Sequence, residues 1–288
     1  MQEIASNVYI ESKFNRITVG AILIEEGWVC IDSPPHPRDA RAWKTALSAI
    51  ASQPIKYLVN TDHHRDRIIN NGWFDGQGVA HEETARALLA LKPTFVSQAA
   101  EDLSINDNEL VEIASLQLHP PEISFSDQLM LTSNGRQISL LHRPSAAAGS
   151  LWVLLPEDQV IFAGDSLTVD RHPYIHHGLT SHWLDLLHEV QAEYAGWTIV
   201  PGRGSLLQLD KVARLVDYLE HARQQVRGLV ENGRNRGDVS LLLAEFMPRY
   251  LYETSTRDNV QKRVKLGLEL IYDEIKAEVE RGQNGALG

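Results

Sequence analysis

Apolar runs with strand character alternate with helical patterns over the first two thirds of the chain. Val8–Ile10, Thr18–Ile24 and Trp28–Ile31 read as strands, and Glu25-Glu26-Gly27 is a turn between the last two. Asp39–Ile50 reads as a helix with Ala42, Trp43, Leu47 and Ile50 on one face. Ile55–Val59 is a continuous apolar strand. Glu82–Leu91 reads as a helix with Ala85, Leu88 and Leu89 facing inward. Leu129–Leu131, Ile138–Leu141, Leu151–Leu155, Val160–Phe162 and Thr198–Val200 are further strands, with Asn134-Gly135 and Glu157-Asp158 at hairpin turns. Ser181 is placed to cap a helix that carries Trp183, Leu187 and Val190.

Beyond about residue 205 the pattern becomes helical throughout. Leu209, Val212, Val216, Leu219, Ala222 and Val226 form one stripe, and Val260, Val264, Leu268, Ile271, Ile275 and Val279 form another. Between them, Asp238 is expected to cap a helix through Leu241–Phe246, and Arg281–Gly288 to fray. The stripes imply packing against the strand-rich part or against a second copy, so a homodimer is one expected arrangement.

Composition narrows the class. A chain of 288 residues with 43% hydrophobic and 23% charged positions can bury a core without staples. The net charge of −11 argues against nucleic acid as a partner, because phosphate binding needs a basic surface. The single cysteine, Cys30, lies in the apolar run Trp28–Ile31 and reads as a buried strand thiol. The first residues lack a basic stretch followed by an apolar one, and no run approaches 18 apolar residues. A cytoplasmic protein without a membrane span is the expectation.

Polar clusters follow strand ends, where α/β sheets place their sites. They are Asn60-Thr61-Asp62-His63-His64-Arg65-Asp66-Arg67, Pro144–Ser150, Phe162-Ala163-Gly164-Asp165-Ser166-Leu167 and Val200-Pro201-Gly202-Arg203-Gly204. Taken together and in this order, they resemble the metallo-β-lactamase fold superfamily. That family's patterns at these points are T-H-x-H-x-D-H, P-G-H-T-P-G-S, F-x-G-D-x-L and V-P-G-H-G. Flanking Ile31-Asp32-Ser33, Asn71, Phe74 and Val79-Ala80-His81 agree, and the resemblance covers roughly residues 5–210. It implies an α/β fold, a four-layered αββα sandwich over residues 1–206 with a C-terminal helical extension over 207–288.

The departures from the family pattern fall on the metal ligands. The resemblance implies seven ligand positions, of which His64, Asp66 and Asp165 match. Asp62, Arg67, Ala146 and Arg203 stand where the family has histidine. Guanidinium cannot ligate zinc and stays protonated. Arg67 and Arg203 would instead pair with Asp66 and Asp165, or cradle a small anionic ligand such as a carboxylate or phosphate. Asp62, His64 and Asp165 still offer one nitrogen and two oxygen donors, enough for a single zinc, manganese or iron ion. Asp66, which orients or activates water in active relatives, is the motif-matched catalytic candidate. No G-x-S-x-G elbow or candidate nucleophilic cysteine replaces a metal.

Histidines cluster after Asp165, and one of His172, His176, His177 or His182 could supply a replacement ligand. His36 could line the pocket mouth. The first functional expectation is a hydrolase homologue with a degenerate dinuclear site and no cofactor, binding a small anion or serving as a structural partner. The second is a remodelled mononuclear hydrolase of esters, lactones or phosphoesters.

Overall fold

The structure, a computed structural model, describes residues 1–14, 17–115, 118, 120–176 and 179–285. The chain divides into two compact units: residues 1–143, 149–167 and 196–207 form the first, and residues 144–148, 168–195 and 208–288 the second.

Two sheets make up the first unit. One has β1 (Gln2–Ala5), β2 (Val8–Glu11), β3 (Val19–Ile24), β4 (Gly27–Ile31), β5 (Ile55–Val59), β6 (Gln77–His81) and β7 (Ile123–Phe125) in sequential order. The other is ordered β12-β11-β10-β9-β8, from β8 (Gln128–Ser133), β9 (Arg136–His142), β10 (Leu151–Leu155), β11 (Val160–Phe162) and β12 (Thr198–Val200). β4 runs parallel to β5, and β11 parallel to β12, so the chain leaves all four strands before the polar clusters. β3 and β4 are buried almost throughout, which explains their lack of a polar alternation.

One apolar core fills the space between the sheets. Val8, Ile22, Val29, Ile31 and Val59 from one sheet meet Leu140, Val153, Leu155, Val160 and Phe162 from the other. The outer face of the longer sheet is covered by α1 (Pro37–Ile50), through Ala40, Trp43 and Leu47 against Tyr9, Trp28, Cys30 and Leu58. Burial pushes the Cys30 thiol up to about 12, consistent with an inert packing role. The buried face of α1 differs from the expected one: Ala40 is inside, whereas Ala42 and Ile50 are exposed.

Short helices complete the unit: α2 (Arg65–Ile68), α3 (Glu82–Leu89), α4 (Phe95–Leu103) and α5 (Asp107–Ser115). In α3, Thr84, Ala85 and Leu88 are buried while Leu89 is exposed, against expectation. His36 is buried, with Nδ1 3.4 Å from the Glu109 carboxylate of α5.

The second unit is built on α6 (Thr180–Glu193), α7 (Leu209–Glu231), α8 (Leu243–Phe246) and α9 (Arg257–Gly285). Most of the apolar stripes of α7 and α9 is buried within a single chain, including Val212, Leu219, Val226, Leu268, Ile271 and Ile275, whereas Leu209 is exposed and Val260 and Val279 are half-buried. Asn235, not Asp238, is the N-cap of the turn before α8; Asp238 is the reciprocal partner in a capping box. α9 continues to Gly285, past the expected fraying point, and residues 286–288 lie outside the described residues. No helix among the described residues is long and apolar enough to cross a membrane.

Ser181 does not cap α6. Glu274 of α9 takes that role from across the unit, accepting from the Thr180 amide at 2.9 Å, the Thr180 hydroxyl at 2.6 Å and the Ser181 amide at 3.0 Å. Arg223 of α7 donates to the same carboxylate at 2.6 Å. A carboxylate there answers both the unpaired amides and the helix dipole. Replacing Glu274 with Ala leaves the Thr180 and Ser181 amides without their acceptor and removes one of the two carboxylates that hold Arg223, the other being Glu278. Urea unfolding should show a loss of about 3 kcal/mol, and a loss under about 1 kcal/mol would refute the role.

Candidate functional site

Four strand ends in the first unit bring the candidate residues together. Asp32 follows β4; Asp62, His64, Asp66 and Arg67 follow β5; Asp165 follows β11; Arg203 follows β12. The local sequence fixes each turn. Asp62 Oδ1 accepts from the His64 amide at 2.8 Å, an aspartate turn that carries the chain into α2. Ser33 Oγ donates to the Arg67 carbonyl at 2.7 Å and ties α2 to the chain after β4.

Asp165 is the hub. Its Oδ1 accepts from Arg67 Nη2 and from Arg203 Nε at 2.9 Å. Its Oδ2 accepts from Arg203 Nη2 at 2.8 Å and lies 3.1 Å from His64 Nδ1. Arg203 also reaches Asp66, with Nη1 2.6 Å from Oδ2 and Nη2 3.2 Å from Oδ1. Arg67 spreads over three carboxylates: besides Asp165, Nη1 donates to Asp32 Oδ2 at 2.5 Å and Nε lies 3.5 Å from Asp62 Oδ1. His64 Nδ1 is 2.9 Å from Asp62 Oδ2. The Arg67 side chain is completely buried, whereas 11% of the Arg203 side chain is exposed.

Glycines make room for this density. A Cβ on Gly202 would lie 2.6 Å from Asp165 Oδ1 and 2.5 Å from the Gly164 carbonyl carbon, as well as against Arg67 Nη2. Gly164 has φ +56, and a Cβ there would lie 2.8 Å from Thr61 Oγ1.

The electrostatics follow from burial opposed by pairing. Desolvation alone would raise Asp165, but Arg203, Arg67 and His64 hold it well below the usual carboxylate range. Asp62, likewise opposed by burial, is held at about 2 by His64 and Arg67, and Asp66 is lowered against burial by Arg203. Burial would lower His64, yet Asp62 and Asp165 raise it to about 9, so it is an imidazolium at neutral pH. Asp32 is raised to about 6 by burial, against the pull of Arg67 and two hydrogen bonds from Thr61. The cluster thus sets two guanidiniums and one imidazolium against four carboxylates.

Sequence reasoning assembled Asp62, His64, Asp66, Arg67, Asp165 and Arg203, and the structure brings all six together. Asp62, His64 and Asp165 present donor atoms within 4.8 Å of one another, a possible metal-binding group. A seventh member, Asp32, and the glycine that makes room, Gly202, were seen in the sequence only as matching motif positions. The structure adds that Asp32 is a buried non-glycine residue at φ +57.

Other histidines have their own partners. Ala146, His172, His176 and His182 belong to the second unit. His172 Nε2 is 3.3 Å from the Met247 carbonyl, among Tyr218, Tyr250 and Tyr252. The His176 ring lies against Tyr174, and His182 is exposed. His177 lies outside the described residues. His81 Nε2 donates to the Ser126 carbonyl at 2.8 Å, Nδ1 accepts from the Glu83 amide, and the ring stacks on His142 with ring centroids 3.6 Å apart.

Paired sheets carrying a site at these four strand ends define a class of protein. The family model of the metallo-beta-lactamase superfamily matches residues 15–216, and the chain belongs to that superfamily. Among solved structures, a metallo-beta-lactamase family protein from Thermus thermophilus is similar, with 17% identity, TM-score 0.66, and 94% of this chain and 95% of that chain covered. A metallo-beta-lactamase from Pontibacter korlensis shares 17% identity, with TM-score 0.59 and coverage of 76% and 97%. A stereoselective inverting sec-alkylsulfatase from Pseudomonas sp. shares 13% identity, with TM-score 0.65 and coverage of 94% and 49%. These likenesses establish the fold. Among curated proteins, no sequence match reaches significance.

The cluster predicts an unusual stability profile. His64 has a folded value above its unfolded one, so its contribution is complete below pH 6.5 and is lost as pH rises through about 9. Asp32, also raised, adds a loss in the same direction between about pH 4 and 6. Asp62 and Asp165, being lowered, contribute above pH 4 and lose it as pH falls toward 2. Between pH 6 and 9.5 the alkaline limb should amount to roughly 3 kcal/mol, read from urea midpoints. His64→Gln should flatten it; an unchanged limb in that variant would refute the assignment.

Proposed function

We propose that this chain is a metallo-β-lactamase-fold hydrolase homologue that does not carry out metal-dependent hydrolysis, its dinuclear centre replaced by an ionic cluster. The observation that supports this reading is the engagement of Asp165. Both its oxygens accept guanidinium N–H groups, from Arg67 and Arg203, and Oδ2 also faces the protonated His64. A bridging metal ligand needs lone pairs directed at the ion, and here they are directed at protons.

The donor set agrees. In the superfamily the positions of Arg67 and Arg203 would each supply an imidazole; a guanidinium supplies neither a lone pair nor space. His64 in its imidazolium form has both ring nitrogens protonated. Charge is matched by protein cations rather than by metal, and these residues do not fit two zinc ions. Without a metal, water keeps its ordinary high pKa, and Asp66, forked by Arg203, has no activated water to orient.

The same geometry weighs against an anion cradle on both arginines. Arg67 has no exposed surface and is surrounded by carboxylates, and the cluster carries one more carboxylate than cations. A bound anion would meet net negative charge. What the chain offers on this reading is a rigid fold that binds or scaffolds. Retention of one metal on Asp62, His64 and Asp165 is the competing reading, favoured by their proximity alone.

Elemental analysis decides between them. Protein purified without chelators or a metal-affinity tag should hold well under about 0.1 zinc, manganese or iron per chain. It should hydrolyse ester, lactone and phosphoester probes no faster than buffer, with or without added zinc. About one tightly held ion per chain would overturn the metal-free reading.

A further inference from the structure

The two guanidiniums do not occupy equivalent atoms, and the difference singles out one of them. Asp62, His64 and Asp165 face one another through Asp62 Oδ2, His64 Nδ1 and Asp165 Oδ2, at 2.9 and 3.1 Å from the ring nitrogen. Arg67 binds the opposite oxygens, Oδ1 of Asp165 and Oδ1 of Asp62. It holds the two carboxylates from behind, and its Nη1 neutralises the buried Asp32. Of the two guanidiniums, Arg203 alone donates to Asp165 Oδ2, from both Nη2 and Nε, and so takes the oxygen that faces the other two donors.

Resting on the metal-free reading, we infer that Arg203 is the plug of a latent single-metal site of two carboxylates and one imidazole, and that this one side chain keeps the site closed. The donors are already assembled. A tetrahedral zinc ion holds its ligands about 3.4 Å apart, a few tenths of an ångström beyond the two distances given above, and within the 4.8 Å that encloses all three donors. Arg203 is also the guanidinium nearest solvent, with Asp66 partly exposed beside it. Vacating its volume opens the cluster toward solvent and frees Asp66 of its ion pair. It leaves two excess negative charges in the cluster, which favour a divalent cation. Arg67 stays in place behind the carboxylates as a positioning residue for Asp62 and Asp165.

The donor set differs from the histidine-rich one that the superfamily pattern implies, since two of its three groups are carboxylates. A hard or borderline ion such as zinc, cobalt or manganese suits it.

Metal uptake by purified variants tests the assignment. Arg203→Ala and Arg203→Gln, dialysed against zinc and then against metal-free buffer, should retain about one ion per chain, whereas wild type and Arg203→Lys retain none. Cobalt loading of the same variants should give the visible absorption of a low-symmetry site. Adding Asp165→Asn to Arg203→Ala should abolish uptake. A folded Arg203→Ala or Arg203→Gln protein that takes up no more metal than wild type overturns the inference and leaves the metal-free reading standing. Uptake that survives Asp165→Asn also overturns it, because the ion then sits elsewhere. A wild-type protein that holds the ion overturns the metal-free reading instead. If neither variant folds, refolding from urea with and without zinc gives the same test: recovery of near-ultraviolet dichroism only with zinc supports the plug, and recovery in neither refutes it.

Discussion

The candidate site in the first unit depends on how one buried carboxylate, Asp165, is neutralised. Placing its charge in a dry interior is affordable only with cations at hydrogen-bond distance. Arg67, Arg203 and His64 provide them from three directions. Each of these cations then recruits a further carboxylate, so a single requirement for charge balance grows into a seven-residue cluster. The glycine at 202 follows from the same crowding, since a side chain there would displace Arg67 or Asp165, and a side chain at Gly164 would meet Thr61, which bonds Asp32.

Such a cluster is a poor source of net stability and a strong source of uniqueness. Desolvating four carboxylates and three cations costs much of what their attraction returns. What it enforces is geometry, because any rearrangement strands a buried charge. The strand ends after β4, β5, β11 and β12 are therefore tied to one another by side-chain ion pairs. Glu274 performs a smaller version of this in the second unit, where one carboxylate joins α6, α7 and α9 by satisfying both amides and a guanidinium. Membership of the superfamily accordingly fixes the architecture here while leaving the chemistry open, since chemistry depends on the atoms that face the site.

Much of the architecture was legible along the chain. The aliphatic strands, the Asn134-Gly135 hairpin and the long terminal helices are local signals with strong periodicity. Short pieces were not legible: β1, α4, α5 and β7 carry too few residues for their patterns to stand out. The inward faces of α1 and α3 were partly misread, because helical periodicity fixes a stripe only to within a residue or two. The cap of α6 was misread for another reason. A serine one residue from the start is a local signal, and Glu274 lies 94 residues away from Thr180.

The sequence by itself determined which residues would meet: four strand-end motifs in family order put Asp62, His64, Asp66, Arg67, Asp165 and Arg203 around one point. It also determined that guanidiniums stand where imidazoles are the pattern, since residue identity alone decides whether a lone pair exists. Only the tertiary structure decided which oxygen each guanidinium takes, that Asp32 joins the cluster, and that Arg67 is sealed while Arg203 reaches solvent. Those outcomes depend on distances of a few tenths of an ångström between segments up to 171 residues apart in number. No local rule of spacing carries that information, because the positions of these side chains are set jointly by the packing of two sheets.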